Sequence, residues 1–547
     1  MIAATLLNEG GQLFSKRGAM LHLWQEIAEQ FYPERADFTS ARTPGISGTS
    51  SLATGYPVLA RRDLGNAIGA MLRPTNKAWN HPRVDKWDEA GTEARAFLER
   101  AETRQRQAMY YQAAQFVRAT KEADHDFAAF GQACIQVTKN HRGDQLLYRC
   151  WHLRDVAWME GADGTIDCVY RKWKPTLNVL ITLFGKNVHP KVKASCEKDP
   201  YAETEVWHVV KPSTNCYDKK GKEYDTPFVS VYLDVANQHV MEEVGLGTLP
   251  YVIPRWQTVS GSQYAYSPAV TVALSDALTL QTMTLTLLEA GEKHVSPPML
   301  AVQEALRGDI NIMASGVTWV DREYDERLGE VLRPLTMDKS GMPIGFEMAA
   351  DLREQLASAF YLNKLALPPP DREMTAYETG QRVQEYIRQS LPLFEPMEAE
   401  YNAPVCKMTF EILMSAGVFG SHFEIPEELL GKEVVFTFES PLHDAIEKEK
   451  GQRFLEATSL IANAAAADPG VIHLLDVKKA ARDVLHSTGV PAAWLRTESE
   501  VDALTDADRE AQQAQQLLRQ MQQGANVAKT IGDTAAPAGT LNTGAVI

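Results

Sequence analysis

Apolar residues recur at helical spacing through 10–32, where Leu13, Ala19 or Met20, Leu23 or Trp24, Ile27 and Phe31 share one face. Tyr32-Pro33-Glu34 predicts the end of that helix, because a residue before proline is pushed out of the helical region. Residues 39–55, rich in Ser, Thr and Gly, predict a loop. A second helix is predicted over 57–72, ending before Arg73-Pro74. Residues 89–131 predict a charged helical stretch whose apolar face carries Tyr110, Phe116, Phe127 and Phe130.

From Gly131 the pattern changes. Short β-rich runs at 134–138, 146–150, 166–173, 205–210 and 227–233 are separated by Gly, Asp and Asn turns. The run 177–184 reads as a helix inserted among them. The implied class is α+β, with a twisted and mostly antiparallel sheet.

Two long helices then flank a β-rich insert. The first is predicted over 268–292, opened by Pro268 in the first turn. Its apolar positions are Val270, Ala273, Leu274, Ala277, Leu280, Leu287 and Leu288, with Thr and Ala filling much of the rest. Such a face suits packing against neighbouring helices. Strand candidates in the insert are 299–302, 316–320 and 330–335. The second helix is predicted from 348 to about 365, with Leu352, Leu356, Ala359 or Phe360 and Leu362 on one face, and Pro368-Pro369-Pro370 forbids its continuation.

A third helical stretch, 375–416, contains prolines at 392, 396 and 404 and must kink or break. Residues 423–438 predict a return to strand, and 444–467 and 476–488 predict helices. In the last segment Leu504, Ala507, Ala511, Ala514, Leu518, Met521 and Ala525 alternate in steps of three and four. That is a heptad seam. It predicts either one solvated amphipathic helix or helices of several subunits side by side. The tail after Gly524 is rich in Ala, Gly and Thr and predicts a mobile terminus.

At 547 residues with 44% hydrophobic content, the chain can bury several cores. Its 55 basic and 71 acidic residues leave a net charge of −16. That excludes a chain gripping nucleic acid over its whole surface, but not one that lets DNA pass. No uninterrupted apolar run approaches a membrane span, and Glu9 soon follows the short N-terminal apolar stretch, which argues against a signal peptide. The closest two of the six cysteines are Cys134 and Cys150, and no CxxC occurs, so reduced thiols are expected.

Candidate chemistry is sparse. No GxxxxGK[ST], GxSxG or HExxH is present. The thirteen histidines are dispersed, with no i, i+3 or i, i+4 pair to hold a metal. No catalytic residue, metal or cofactor is assigned. A hydrolase or nucleic-acid-processing enzyme, with a site assembled from distant residues, is the alternative to a structural role.

The run RWQTVSGSQYAYSPAVTVALSDALTLQTMT at 255–284 and LALPPPDREMTAYETGQRVQE at 365–385 resemble the portal, or head-to-tail connector, proteins of short-tailed bacteriophages. WQEIAEQFYPER at 24–35 and FAAFGQACIQV at 127–137 support the resemblance, which spans about residues 10–520 in the same order. AYSPA at 265–269 departs from the family, which often has a glycine and an arginine before the Ser-Pro.

The resemblance implies a portal fold: an α/β wing over 1–267, a stem helix at 268–292, a small β-rich clip at 293–342 and a second stem helix at 343–365. A tunnel loop at 366–376, a kinked helix with the remaining wing at 377–443, a helical crown at 444–500, and a C-terminal helical barrel and tail at 501–547 complete it. It further implies a ring of twelve subunits at a capsid vertex in the virion, assembled in the host cytoplasm. Double-stranded DNA would be packaged and ejected through it. Partners would be the terminase large subunit, major capsid and scaffolding proteins, tail adaptors and internal core proteins, with no membrane. Lys364, Leu367, Pro368, Pro369, Pro370 and Arg372 would face the DNA channel, unless the two charges are ordinary surface residues at a helix end. Arg307, Trp319, Arg322, Arg327 and Arg333 would meet partners at the clip, unless Trp319 is core and the charges form a solvated rim. The seven heptad residues would build the barrel.

Overall fold

The computed structural model describes residues 3–41, 45, 48–74, 78–84, 91–214, 224–301, 332–334, 341–365, 397–420, 425–438, 457–461, 481, 501, 504 and 515. The chain divides into two compact units, one of residues 1–87 and 98–447, the other of 88–97 and 448–547. In the second, the start of one helix and residues 457–461 are helical.

The helices are Ala3–Lys16 (α1), Gly18–Phe31 (α2), Tyr56–Leu72 (α3), Thr92–Met109 (α4), Phe116–Phe130 (α5), Leu177–Phe184 (α6), Pro190–Lys198 (α7), Pro268–Val295 (α8), Gly341–Ala359 (α9), Leu362–Leu365 (α10) and, after a π-helical turn at Glu398–Asn402, Ala403–Ser415 (α11). The strands are Asn80–Val84 (β1), Ile135–Lys139 (β2), Leu146–Cys150 (β3), Val156–Glu160 (β4), Ile166–Trp173 (β5), Val206–Pro212 (β6), Phe228–Asp234 (β7), His239–Leu246 (β8), Tyr251–Val252 (β9), Gln257–Thr258 (β10), Ala265–Tyr266 (β11), Met299–Ala301 (β12), Leu332–Pro334 (β13) and Val434–Phe438 (β14). The mixed α+β class is as expected.

Four expectations need correction. The single helix expected over 10–32 is two helices, broken at Arg17. The Arg17 guanidinium is buried and donates to the backbone carbonyls of Leu153 (2.6 Å), Val156 and Arg154. Burial pulls its pKa down to about 10. Orphan carbonyls in a turn are thereby satisfied by a residue that helix continuation would have pointed elsewhere. The 89–131 stretch breaks at Gln115, whose φ is +55°. The helix expected over 348–365 starts earlier, at Gly341, and breaks after Ala359. There Tyr361 takes a φ of +58° and buried Phe360 packs on Phe31 with ring centroids 5.3 Å apart. Of the strand expected over 423–438 only β14 forms; a 3-10 turn, Glu427–Leu429, takes part of the rest.

The main sheet is a five-stranded antiparallel meander, β4-β5-β6-β7-β8. Its residues alternate between two faces as the pleat requires. Val209 and Val231, paired across β6 and β7, join Tyr170, Trp207 and Leu233 in a core covered by Ala3 and Leu6 of α1. Gly10 lets that helix close on the sheet: a Cβ there would lie 2.4 Å from the Trp207 ring. The opposite face carries Arg171, His208 and Tyr232, neighbours in register. Arg171 lies 3.8 Å from the centroid of Trp151 and donates to Tyr251 Oη at 2.8 Å. Burial and the Arg171 charge push His208 well below its ordinary pKa. The smaller sheet β3-β2-β9 sits beside this polar row.

β1 pairs with β14. Pro82 is tolerated in that two-stranded ribbon because each strand has a free edge. Of the strands expected in the insert, 299–302 and 330–335 appear as β12 and β13, paired antiparallel. The 316–320 candidate lies outside the described residues.

Candidate functional site

Segments far apart in sequence meet where α8 leaves the sheet-bearing body. α5 ends at Gly131, which takes a left-handed φ of +71°. A Cβ on Gly131 would sit 2.1 Å from the Tyr266 carbonyl carbon and 2.3 Å from the Ser267 nitrogen. Only glycine permits this approach. The Gly131 carbonyl accepts from Trp256 N at 2.8 Å, and Gln132 Oε1 accepts from Ala265 N at 3.1 Å. Ser267 then caps α8: its hydroxyl accepts from Val270 N at 3.4 Å and donates to Ala128 O at 2.8 Å. Pro268 occupies the first helical turn.

Aromatic packing fixes the same junction. Trp24 meets Phe38 at 5.6 Å and Tyr264 at 5.9 Å between centroids, and Phe38 meets Phe130 at 5.2 Å. Phe127 stacks on Trp256 at 5.3 Å. Arg35 grips Asp126 bidentately, Nε to Oδ1 at 3.0 Å and Nη2 to Oδ2 at 2.9 Å. Three of the segments that carry the family resemblance therefore form one clasp around the start of α8. In AYSPA, the residues that depart from the family are accommodated: Ala265 is fully buried and Tyr266 Oη lies 3.8 Å from Met20 Sδ.

A buried polar network ties α3 and α5 to the π-helical turn. Arg73 pairs with Asp124, both almost fully buried, and donates to Asn402 Oδ1 at 2.8 Å. Tyr401 Oη donates to Asp124 Oδ1 at 2.9 Å, and Asn402 Nδ2 donates to Leu72 O at 3.3 Å. Burial opposes the charge on Arg73, but the Asp124 carboxylate more than offsets it and holds the guanidinium ionised. The turn leads into α11, so the network fixes the start of that helix against α3 and α5. Spacing gave no sign of it.

α8 has 28 residues and is about 42 Å long. Ala269, Val270, Ala273, Ala277 and Leu280 are buried, all in its first half. Gln281 clamps Thr54, accepting from its N–H and donating to its carbonyl, each at 2.9 Å. α9 packs alongside α8, and Gly345 permits close approach, since a Cβ there would lie 2.7 Å from Leu287. The outer side stays open and mixes large apolar residues with polar ones such as Thr282, Thr286, Glu289 and Glu292. Leu278, Leu285, Leu288 and Val295 recur at seven- and three-residue steps, with Leu288 59% and Val295 88% exposed. Ile344, Phe346 and Met348 on α9 are likewise exposed. α8 also has the length and mean hydropathy of a membrane span, although no uninterrupted apolar run of that length exists in it. Its cap and its buried half pack against protein.

The sequence-predicted site residues fall largely outside the described region. Leu367, Pro368, Pro369, Pro370, Arg372, Arg307, Trp319, Arg322, Arg327, Ala507, Ala511, Ala514, Leu518, Met521 and Ala525 lie there, as do the tunnel loop and nearly all of the crown. Lys364 lies in α10 and Arg333 in β13, opposite Leu300. Leu504 is helical and exposed. Among the described residues no cluster of three or more His, Cys, Asp or Glu is placed to hold a metal.

Comparison of the sequence with known proteins shows the family. A family of proteins described as bacteriophage head to tail connecting protein matches residues 3–495. The chain is 23% identical to a probable portal protein of Bordetella phage BPP-1 over 541 residues, covering 96% of this chain and 95% of that protein. It is 23% identical to a portal protein of Salmonella phage epsilon15 over 381 residues, covering 68% and 67% respectively. Among solved structures it is similar to a chain of a native gene transfer agent virion (10% identity, 79% of this chain and 95% of that one, TM-score 0.35). A chain from the neck of an empty particle of that kind gives 12% identity, the same two coverages and a TM-score of 0.33. With three of its motif segments gathered into a single clasp and its match running through nearly the whole sequence, this chain belongs to the bacteriophage head-to-tail connecting protein family.

Proposed function

We propose that this chain is the portal vertex protein of a phage capsid, a ring subunit around the channel through which double-stranded DNA is packaged and ejected. The observation that carries the reading is the row of exposed leucines on α8, Leu278, Leu285 and Leu288, in a member of this family. A single chain leaves those large apolar side chains in water, and burying them is favourable. Head-to-tail repetition of one interface covers every copy and closes into a ring. Twelve copies is the proposed number. α8 and α9 are the stem, the sheet body with α1–α3 and α5 is the wing, and β12–β13 belong to the clip.

The clip, with Arg307, Trp319, Arg322, Arg327 and Arg333, is proposed to receive the terminase large subunit during packaging and tail adaptors afterwards. Capsid and scaffolding proteins would surround the ring, and internal core proteins would meet the crown side. The heptad residues from Leu504 to Ala525 are proposed to form a parallel barrel, since all copies in a ring point the same way. No nucleotide hydrolysis is assigned to this chain: the sequence has no P-loop, and packaging energy would come from the motor. The net charge of −16 suits a conduit, because many Lys or Arg contacts to phosphates would hold DNA in place. Electron microscopy of the purified protein tests the ring directly.

Residues 367–371 are the proposed constriction, with Lys364 and Arg372 steadying the DNA backbone on either side. Three consecutive prolines stiffen the segment and remove three backbone donors. Deleting 367–371 is expected to leave rings intact while lowering DNA packaging or retention at least tenfold in an assembly assay. Unchanged packaging and retention would rule out the constriction.

A further inference from the structure

One lobe of this acidic chain has the opposite charge. Between Asp167 and Glu197 there is no acidic residue, yet Arg171, Lys172, Lys174, Lys186, Lys191 and Lys193 lie there. Arg171 is buried over Trp151, and Lys172 lies 4.0 Å from the Phe14 ring centroid. The other four sit on or beside the α6–α7 pair, where Lys174, Lys186 and Lys191 are exposed and Lys193 half-buried.

The fold gathers these charges. Leu177, Val188 and Val192 form a small core between the two helices, and Leu180 seats α6 on Val206 and Met241 of the sheet. Lys193 Nζ donates to Lys186 O at 3.0 Å, so the two ends of the connection touch. His239 Nε2 contacts Asn187 O at 2.9 Å, and the rings of His189 and His239 are 5.5 Å apart. The α7 N-terminus adds the positive end of its dipole beside Lys191. Acids around the lobe are outnumbered: buried Asp234 accepts from Ala236 N, Asn237 N and Asn237 Nδ2, while Glu197 one turn beyond Lys193, Asp199 after α7 and Glu203 bridged to Thr176 stand against Lys174, Lys186, Lys191, Lys193 and Lys198.

We propose that the α6–α7 lobe is a contact surface for the phosphate backbone of duplex DNA, separate from the channel segment at 364–372. Lysines act as point charges without demanding a fixed geometry, and a cluster of three to five suits weak, sequence-independent attachment. The cluster lacks the Arg and Trp anchors typical of protein hot spots. The choice of DNA rests on the portal reading above. Exposed Val179 and Leu183 on α6 make an acidic protein surface the competing occupant.

Covalently closed circular DNA isolates the surface, because it cannot thread a closed ring. Binding of the full-length protein to such a circle is measured against salt by electrophoretic shift. For wild type, log affinity is expected to fall against log salt with a slope of about −3 to −4, at roughly −0.9 per phosphate contact. The K186E/K191E/K193E variant is expected to bind at least tenfold more weakly, with a slope shallower by about 2.7 by the same rule. K186Q/K191Q/K193Q should lie between, and carries the comparison if the charge-reversed chain does not fold. Equal binding of the circle by a folded variant and wild type overturns the proposal. So does a wild type that ignores the circle at low salt, or a variant that loses polyglutamate binding while keeping DNA binding. Microscopy of the same samples separates the two readings, since absent rings would sink the portal assignment while the circle comparison would still judge the lobe.

Discussion

Replacing Gly131 with alanine is expected to unseat α8 from the body and to leave little soluble, ring-competent protein. The added Cβ would fall 2.1 Å from the Tyr266 carbonyl carbon and 2.3 Å from the Ser267 nitrogen. Both are backbone atoms, so no rotamer change can relieve the clash. The left-handed φ of +71° adds about 1–2 kcal/mol for any residue with a Cβ. Relief requires separating Gly131 from β11 and the α8 cap, which gives up the Gln132–Ala265 and Ser267–Ala128 hydrogen bonds. The readout is the soluble yield and thermal midpoint of Gly131→Ala beside wild type. Wild-type yield and midpoint would show that this junction is not tight in solution.

Asp124→Ala should destabilise the body by about 3–5 kcal/mol, the usual cost of leaving one member of a buried ion pair alone. Arg73 would keep its charge with no carboxylate among its described partners, left to Asn402 Oδ1 and the face of Tyr401, and Tyr401 Oη would lose its 2.9 Å acceptor. The loss should appear as a lower urea midpoint with an unchanged slope. Arg73→Met combined with Asp124→Leu should recover most of it, because no uncompensated charge remains. A double variant as unstable as the single one would assign the effect to packing.

The family was legible in the sequence because its motifs are short and local, and α8 was legible because Pro268 and an apolar three-and-four pattern mark it. The inner workings of those motifs were not. The break at Arg17 depends on carbonyls at 153, 154 and 156, far along the chain. β1 hid behind His81 and Pro82 because its partner is β14. β8 hid because Glu242 and Glu243 dilute its apolar alternation. The Arg73–Asp124–Tyr401–Asn402 network joins residues up to 330 positions apart, and no local pattern announces such a contact. The early start of α9 was missed because Gly341 and Pro343 read as loop formers; the packing of α9 on α8 outweighs that tendency. The basic stretch before Glu197 was present as composition, but only the α6–α7 packing turns it into a surface.

The central claim is that the open side of α8, with its exposed leucines, is a subunit interface that closes into a ring. The most direct measurement is the mass and image of the purified full-length protein at micromolar concentration, by light scattering and negative-stain electron microscopy. Closed rings of twelve subunits are expected for wild type, and Leu285→Asp with Leu288→Asp should convert them to smaller species while the single chain stays folded. A monodisperse wild-type monomer, or intact rings in the double aspartate variant, would contradict the account.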